Sequence, residues 1–578
     1  MTILRPADGG YLILDRRSDD PRASVLATRV ERRLIASGWA RALDVDTLTV
    51  WLGPRSRLKA VQVHRRHILI GDWRRKGEAL SAIIGGARSA SRIAERAVSG
   101  GWGDYVAVWK TDADELAILR TPAGALDAVW WRRDGVVFAA HEPPECLDEF
   151  LPAELEIDWH TLADIATSME LLGDRLALSG LSAVAPGTLT TIGDDVANIP
   201  VWRPKDFYRP GGGWDDDPRS LARVIDEVVA ALTGEHDHIL AEVSGGLDSA
   251  IVAASFVATG RRDRASYVNF HDDRPEGDEG RYAQAAAERL GLTLERVHKP
   301  VCAVTAEDFA PLGLGVRPAL HGLDATYDRW TADRATASAA TALLTGQGGD
   351  AVFFQAPDPY VVVDRVDRLG LAGFSPGYVS DVARWTRHSA WTVADLALHR
   401  RRPRPMPSAR IHPWLEGVER LPPAKAAQIR RFVNAQLFWG DCSRARAAVL
   451  LHPLLSQPVV EHCLAIPADI LTQGPRDRGL ARLAFADRLP SAIIDRRDKG
   501  DLSAFYGHVV RASAQTLRDL LLTGLLAEHG LLDSAQVDAE LDEARLIRDP
   551  ASNRFLILAV LEVWARRWEA RISGRRGS

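Results

Sequence analysis

The 578-residue chain carries only four cysteines, Cys146, Cys302, Cys442 and Cys463, far apart and without a CxxC pair. That spacing excludes a disulfide frame and a cysteine zinc site, and it fits reduced, buried thiols in the cytoplasm. No run of about 18 uninterrupted apolar residues occurs, so no membrane span is expected. The start, Met1-Thr2-Ile3-Leu4-Arg5-Pro6, lacks the layout of a signal peptide. The histidines show no HxxxH spacing, which speaks against a zinc enzyme. A net charge of −5 argues against a general nucleic-acid binder. What remains, 46% hydrophobic and 26% charged residues, is ordinary for a globular protein, and the length calls for two or more domains.

Against this plain background one run stands out: Val243-Ser244-Gly245-Gly246-Leu247-Asp248-Ser249. Ile239–Val243 before it has the composition of a buried strand, and Ala250–Ala258 after it that of an apolar helix. A strand, a Ser-Gly-Gly turn and a helix N-terminus together form a phosphate cradle. Helix-start N–H groups have no intrahelical partner, and the helix dipole favours an anion there. Gly245 and Gly246 allow close approach, Ser244 and Ser249 add hydroxyls, and Asp248 is placed for Mg²⁺. No Gly-Lys-Ser/Thr follows, so this is not a Walker loop. The run resembles the pyrophosphate loop of enzymes that split ATP into AMP and pyrophosphate.

Residues 1–205 read as short strands with interspersed helical pieces, an α+β domain; strands are expected near 11–14, 60–63, 67–70, 105–109, 116–119 and 136–139. Gly211-Gly212-Gly213 up to Pro218 is breaker-rich, and a linker is expected over 206–218. Asp217 or Ser220 is placed to cap the helix that follows, Leu221–Leu232. From 239 strands and helices alternate: 239–243, 249–258, 266–270, 279–290, 342–345. That alternation predicts a doubly wound parallel sheet over 219–578, with added helices beyond about 360. A second glycine turn, Thr345-Gly346-Gln347-Gly348-Gly349-Asp350, falls at a strand's carboxyl end, as the first does.

This second turn resembles the Ser-Gly-x-Gly-x-Asp signature of the asparagine synthetase family, with Ala351 where Glu is usual. Asp278-Glu279 opening a helix, His452-Pro453-Leu454-Leu455, Leu464–Pro467, and Leu489-Pro490 followed by Arg497-Asp498-Lys499-Gly500 resemble further family segments in the right order. Residues 101–109, 119–125, 136–142 and 185–187 loosely resemble the family's glutaminase domain, which is of the N-terminal-nucleophile (Ntn) hydrolase type. That domain needs a cysteine after the initiator Met; here the residue is Thr2. The Arg-Asp-Pro-x-Gly run stands as Arg120-Thr121-Pro122-Ala123-Gly124. A degenerate glutaminase that buttresses an ATP-pyrophosphatase-type synthetase domain is therefore expected. Without ammonia from glutamine, the amine must come from the substrate. Ring-closing branches do this: the β-lactam synthetases on small molecules, and the lasso-peptide macrolactam synthetases on peptides. The resemblance points to the latter.

It implies ATP and Mg²⁺, with Asp248 and Asp350 as metal ligands. Val243–Ser249, Phe270, Thr345, Gly346, Gly348 and Gly349 would hold the nucleotide. An acidic side chain of a leader-free precursor peptide would be adenylated and then attacked by the N-terminal amine. Lys499 would steady the oxyanion. Gln347 stands where β-lactam synthetases carry a Tyr base; an amide is no base, so it would orient substrate. Asp381 is the candidate acid/base group, with solvent, sharing the proton with the departing AMP phosphate, as the alternative. A maturation protease and a leader-peptide-binding protein are implied partners. The rivals are a small-molecule β-lactam or asparagine-type synthetase and a nucleotide-binding scaffold. Arg400-Arg401-Arg402-Pro403-Arg404-Pro405 reads as a solvated loop. Trp385, Trp391 and Trp439 are candidates to line a peptide groove, with the core as the expected place for most of the tryptophans.

Overall fold

A computed structural model describes residues 9–576 apart from 17–19, 76–79, 86–88, 169–174, 272–278, 404–411, 498–501, 543–545 and 547–552. Thr2, Asp278 and Lys499 lie outside the described residues, as do Arg404 and Pro405 of the basic segment.

The first two hundred residues stack two antiparallel sheets of six strands each. One runs, edge to edge, Ser182–Ala183, Val129–Arg133, Val136–Ala140, Tyr11–Arg16, Leu48–Leu52, Ala40–Val45. The other runs Val196–Pro200, Thr188–Ile192, Leu116–Arg120, Gly101–Lys110, His67–Arg75, Ala60–His64. Alternation along the strands sorts the side chains into layers. Tyr11, Ile13, Val106, Val108, Leu116 and Ile118 pack between the sheets. Leu12 and Leu14 face outward onto the helix Pro21–Ala36, whose Ala23, Leu26, Ala27, Val30 and Leu34 form its apolar stripe. That helix starts because Pro21 suits its first turn and Asp20 accepts from the Arg22 N–H. On the other outer face Tyr105, Ala107 and Trp109 meet the helix Ala90–Gly100. The result is four layers, helix–sheet–sheet–helix.

The expected linker is tied down rather than free. Trp214 packs on the main core, and Asp217 caps the helix Pro218–Thr233 by accepting from the Arg219 N–H.

Beyond it lies a sheet of five parallel strands in the order Leu294–His298, Ala265–His271, Ile239–Glu242, Ala342–Leu344, Val449–Leu451. Chain order runs outward from the central strand first to one side and then to the other. The crevice at this reversal, between the carboxyl ends of Ile239–Glu242 and Ala342–Leu344, is where open α/β sheets bind ligands. The helix Leu247–Ala258 follows the central strand and is buried from Leu247 through Phe256. Its composition, apolar all round, is that of an interior helix. The chain then continues mainly in helices, ending in Arg554–Arg576.

Two cores span both halves. One joins Ala94, Tyr105, Leu119 and Trp202 to Leu221, Ile251, Leu454 and Phe485. The other joins Leu12, Phe138 and Leu162 to Phe309, Leu517 and Trp564. Of the four cysteines, Cys442 and Cys463 are buried, but Cys146 and Cys302 are only partly so. The expectation of four buried thiols is corrected there: Cys146 sits in the short helix Glu145–Phe150 and Cys302 in the connection after Leu294–His298, both partly exposed.

Candidate functional site

Both glycine turns sit at the switch point, and they touch. The first turn is set by Gly245, whose φ is +89°. A Cβ there would lie 2.4 Å from the Glu279 carbonyl oxygen, at the start of the helix Gly280–Leu290. Only glycine satisfies both the angle and that approach. Inside the turn Ser244 Oγ and Ser249 Oγ are 2.9 Å apart, the Ser244 N–H donates to Ser249 Oγ, and Ser249 Oγ donates to the Gly246 carbonyl. These bonds fix the turn; at the helix start the Gly246 N–H also points to Ser244 Oγ, at 3.4 Å.

The second turn lies on the first. A Cβ on Gly346 would be 2.4 Å from the Ser249 nitrogen, and one on Gly349 would be 2.5 Å from Asp248 Cγ. Gly348 takes φ +87° against Leu455. Thr345 is anchored by His452, whose Nδ1 is 2.7 Å from Thr345 Oγ1. Its Nε2 faces the Phe438 carbonyl at 3.2 Å. A carbonyl only accepts, so Nε2 carries the proton and Nδ1 accepts from the threonine. Burial and the nearby Arg444 push the His452 pKa down to about 4. The Gln347 N–H donates to Thr345 Oγ1 at 3.2 Å, and its side chain is half-buried.

Asp248 and Asp350 converge on one atom. Nη1 of Arg478 donates to Asp248 Oδ2 at 2.8 Å and to Asp350 Oδ1 at 3.2 Å. Asp248 is buried, whereas the Asp350 side chain is 52% exposed. The Gln355 amide also faces the Asp350 carboxylate. Behind Arg478 stands Asp477, which accepts from Arg478 Nε and from Arg482 Nη2. Burial opposes the arginine's charge, but Asp248, Asp477 and Asp350 outweigh it and raise the Arg478 pKa.

The first turn is held from the side by Arg496. Its guanidinium donates to the Gly245 carbonyl at 3.3 Å and to Glu279 Oε1 at 2.8 Å. On the far side of the central strand Tyr327 donates to Glu242 Oε2 at 2.8 Å, and Phe270 packs edge-on against Tyr327. Val243 has its N–H on the Val268 carbonyl and its C=O on Asn269 Nδ2.

Beside the turns opens a cavity of about 1020 Å³, lined by Gln355, Asp381, Trp385, Arg476, Arg478 and Arg497 among others. Asp381 lines this cavity, ion-paired to Arg384; Asp248 and Asp350 do not line it and border it through Arg478 and Gln355. Of the three tryptophans expected in a groove, only Trp385 lines it. Trp391 is 86% exposed, and Trp439 packs against His452. The spacing of Trp391 and Trp439 along the chain carried no information about which wall they join. Arg400 and Arg402 pair with Asp367, and Arg401 with Asp395, on an exposed loop.

Sequence reasoning missed Arg478, Asp477 and Arg496. The one available signal was Gly474-Pro475-Arg476-Asp477-Arg478, a charged, breaker-rich break between apolar stretches.

A strand–turn–helix cradle and a second glycine turn, meeting at the switch point of a parallel sheet, define an α/β protein with a glycine-lined crevice at that point. Residues 220–566, more than half of the chain, match the asparagine synthase family model. The chain belongs to this family, whose members are ATP-dependent C–N ligases that form amide bonds with Mg²⁺, and it is an enzyme of that general kind. No curated protein matches the chain. Among solved structures it is similar to a glutamine phosphoribosylpyrophosphate amidotransferase from B. subtilis complexed with ADP and GMP. That match has 11% identity over 51% of this chain and 82% of the other, with a TM-score of 0.20. A structure described as the allosteric regulatory enzyme of purine biosynthesis matches at 12% identity over 53% and 76%, with a TM-score of 0.19. Scores this low carry no argument about the fold. No described helix is long and apolar enough to cross a membrane.

Proposed function

We propose that the chain is an AMP-forming macrolactam cyclase of lasso-peptide type. It activates an Asp or Glu side chain of a leader-free precursor peptide and joins it to the peptide's own N-terminal amine. The observation that carries this is the contact of the two glycine turns, with Asp248 and Asp350 on a single guanidinium nitrogen beside a cavity of about 1020 Å³. Ligand and cofactor pockets occupy roughly 300–1,000 Å³, so this cavity, at the top of that range, is large enough to admit part of a peptide beside the nucleotide turns.

Two carboxylates already gathered round one cationic nitrogen are a donor set that fits Mg²⁺. Asp248 and Asp350 would hold the ion, which supplies charge neutralisation for the phosphates. The Gly245, Gly246 and Leu247 backbone and the Ser244 and Ser249 hydroxyls receive pyrophosphate at the helix start. Thr345, Gly346, Gly348 and Gly349, with Val243 and Phe270 near the strand ends, bound the nucleotide. The peptide carboxylate attacks the α-phosphorus and pyrophosphate leaves. The amine then attacks the acyl carbon, AMP leaves, and the amine's proton passes to a base. Asp381, which lines the cavity, is our candidate to take it, with solvent as the alternative. Gln347 orients the substrate amide. Lys499, three residues after Arg496 in the chain, steadies the oxyanion. The N-terminal half is a degenerate glutaminase-like domain of the Ntn type, with residues 219–578 as the synthetase domain. A maturation protease and a leader-peptide-binding protein in the cytoplasm complete the proposed setting.

The test is incubation of the full chain with Mg²⁺, ATP and a leader-free precursor peptide. AMP and a product lighter by one water are expected. Release of ADP, or turnover of short amino acids but no peptide, would overturn the proposal. No ATP–pyrophosphate exchange with any peptide would favour a nucleotide-binding scaffold.

A further inference from the structure

The groups proposed to hold Mg²⁺ are already occupied by a side chain of the protein itself. Arg478 Nη1 bonds both carboxylates, at 2.8 Å and 3.2 Å, and its side chain is only 5% exposed. A guanidinium keeps its charge at any physiological pH. A divalent ion and this nitrogen would compete for the same oxygens and repel each other, so they exclude one another. The arginine's backbone is fixed. It takes φ +53°, its N–H donates to the Phe354 carbonyl at 3.1 Å, and it caps the helix Gly479–Ala484. Its side chain, by contrast, lines the large cleft, where there is space to turn. Asp477, bonded to Arg478 Nε, stays beside it in either position.

We propose that Arg478 is a tethered counter-cation. It holds Asp248 and Asp350 together while the site lacks nucleotide, then exchanges them for phosphate oxygens when Mg²⁺ and ATP arrive. This rests on the assignment of Asp248 and Asp350 to Mg²⁺ made above. Metal alone then binds poorly, because it must evict a buried arginine from two carboxylates and leave it only Asp477, which it already holds. With nucleotide present the phosphates receive the arginine, so the two ligands bind cooperatively.

The test is Mn²⁺ binding to the full chain without nucleotide, read by the free-Mn²⁺ EPR signal. Arg478→Met should tighten Mn²⁺ binding by about tenfold or more relative to wild type. Arg478→Lys, which keeps a cation and the fold but loses the fork, should tighten it by a smaller factor. Unchanged or weaker Mn²⁺ binding in a folded Arg478→Met or Arg478→Lys protein overturns the proposal. Asp248→Asn separates the two layers of the argument. If it abolishes Mn²⁺ binding while the Arg478 variants bind like wild type, only the arginine's role fails. If Mn²⁺ binding is indifferent to Asp248→Asn, the metal assignment itself fails.

Discussion

Two alanine substitutions, one in each glycine turn, should fail in opposite ways. A Cβ at Gly346 would lie 2.4 Å from the Ser249 nitrogen and 2.7 Å from the Asp248 carbonyl carbon and Ser249 Cα. All three are backbone atoms at the start of a buried helix, so no side chain can swing away. The turns must part by several tenths of an ångström or more. Overpacking of this kind costs ~1–3 kcal/mol. For a domain of this size that is a fall in Tm of ~2–6 °C. Because both aspartates ride on these turns, misplacement should also cost ~10²-fold in rate. Gly246→Ala is the counterpart. There a Cβ meets only Ser244 Oγ, at 3.5 Å, and φ −80° with ψ 160° suits any residue. Alanine is a poorer N-cap than glycine, which costs under about 1 kcal/mol. The new methyl projects into the open side of the cradle, where phosphate is expected. Gly246→Ala should thus keep its Tm within ~2 °C yet raise KM for ATP by about tenfold or more. Thermal melts and peptide-dependent ATP–pyrophosphate exchange read both effects. Wild-type Tm and exchange in Gly346→Ala would refute the contact between the turns. Wild-type KM in Gly246→Ala would refute the placement of phosphate.

Asp248→Asn and Asp350→Asn should each lower AMP formation by ~10²-fold or more, since each removes a hard anionic ligand while keeping shape; circular dichroism should show both folded. Stability should fall on acidification. His452 and His412 are held to pKa values of about 4 and about 3, chiefly by burial, against ~6.5 when unfolded. From about pH 6.5 down to those values the unfolded chain binds protons the folded one does not, at up to ~1.4 kcal/mol per pH unit for each histidine. Urea midpoints should therefore drop between about pH 7 and about pH 5, and less steeply in His452→Asn; a slope unchanged by that substitution would count against the role of His452. A fragment starting at residue 206 should be insoluble, because it would expose the surfaces now covered by Leu12, Phe138, Tyr105 and Trp202.

The parts of the site visible in the sequence were those whose chemistry is local. Gly245 and Gly348 need positive φ within their own turns, and Asp248 and Asp350 follow glycines at strand ends, so short runs announce them. The three inner strands of the parallel sheet were legible for the same reason, but its edge strands Leu294–His298, largely exposed, and Val449–Leu451, only three residues long, were not. Arg478 was not legible. It meets Asp248 across 230 residues of chain, and its left-handed backbone is set by the helix it caps. Arg496 likewise reaches Gly245 from 251 residues away. Ion pairs of that separation leave no spacing to read, only a charge at an unremarkable position. Trp391 shows the converse: 86% exposed, it joins neither the groove nor the core, whereas Trp439 packs on the core.

The same distinction explains how the N-terminal half can matter to the site. Asp127 accepts from Arg120 within its own half and from Arg317 beyond the linker, at 2.8 and 2.7 Å, and both arginines hold its carboxyl well below the usual range despite burial. Gln457, near the end of the segment that anchors Thr345, donates to the Val98 carbonyl. Trp202 donates to Glu461 on the same helix, Gln457–Ala465. That helix follows directly on His452 and Leu455, which fix Thr345 and press on Gly348. The N-terminal half thus braces the second glycine turn through one helix. Gln457→Ala, made far from any reacting atom, leaves the Val98 carbonyl without its donor, at a cost of ~1–3 kcal/mol. Its effect on exchange should come through a looser Thr345 turn, as a rise in KM for ATP larger than the fall in kcat. Equal loss in both, or loss of kcat alone, would place the brace elsewhere.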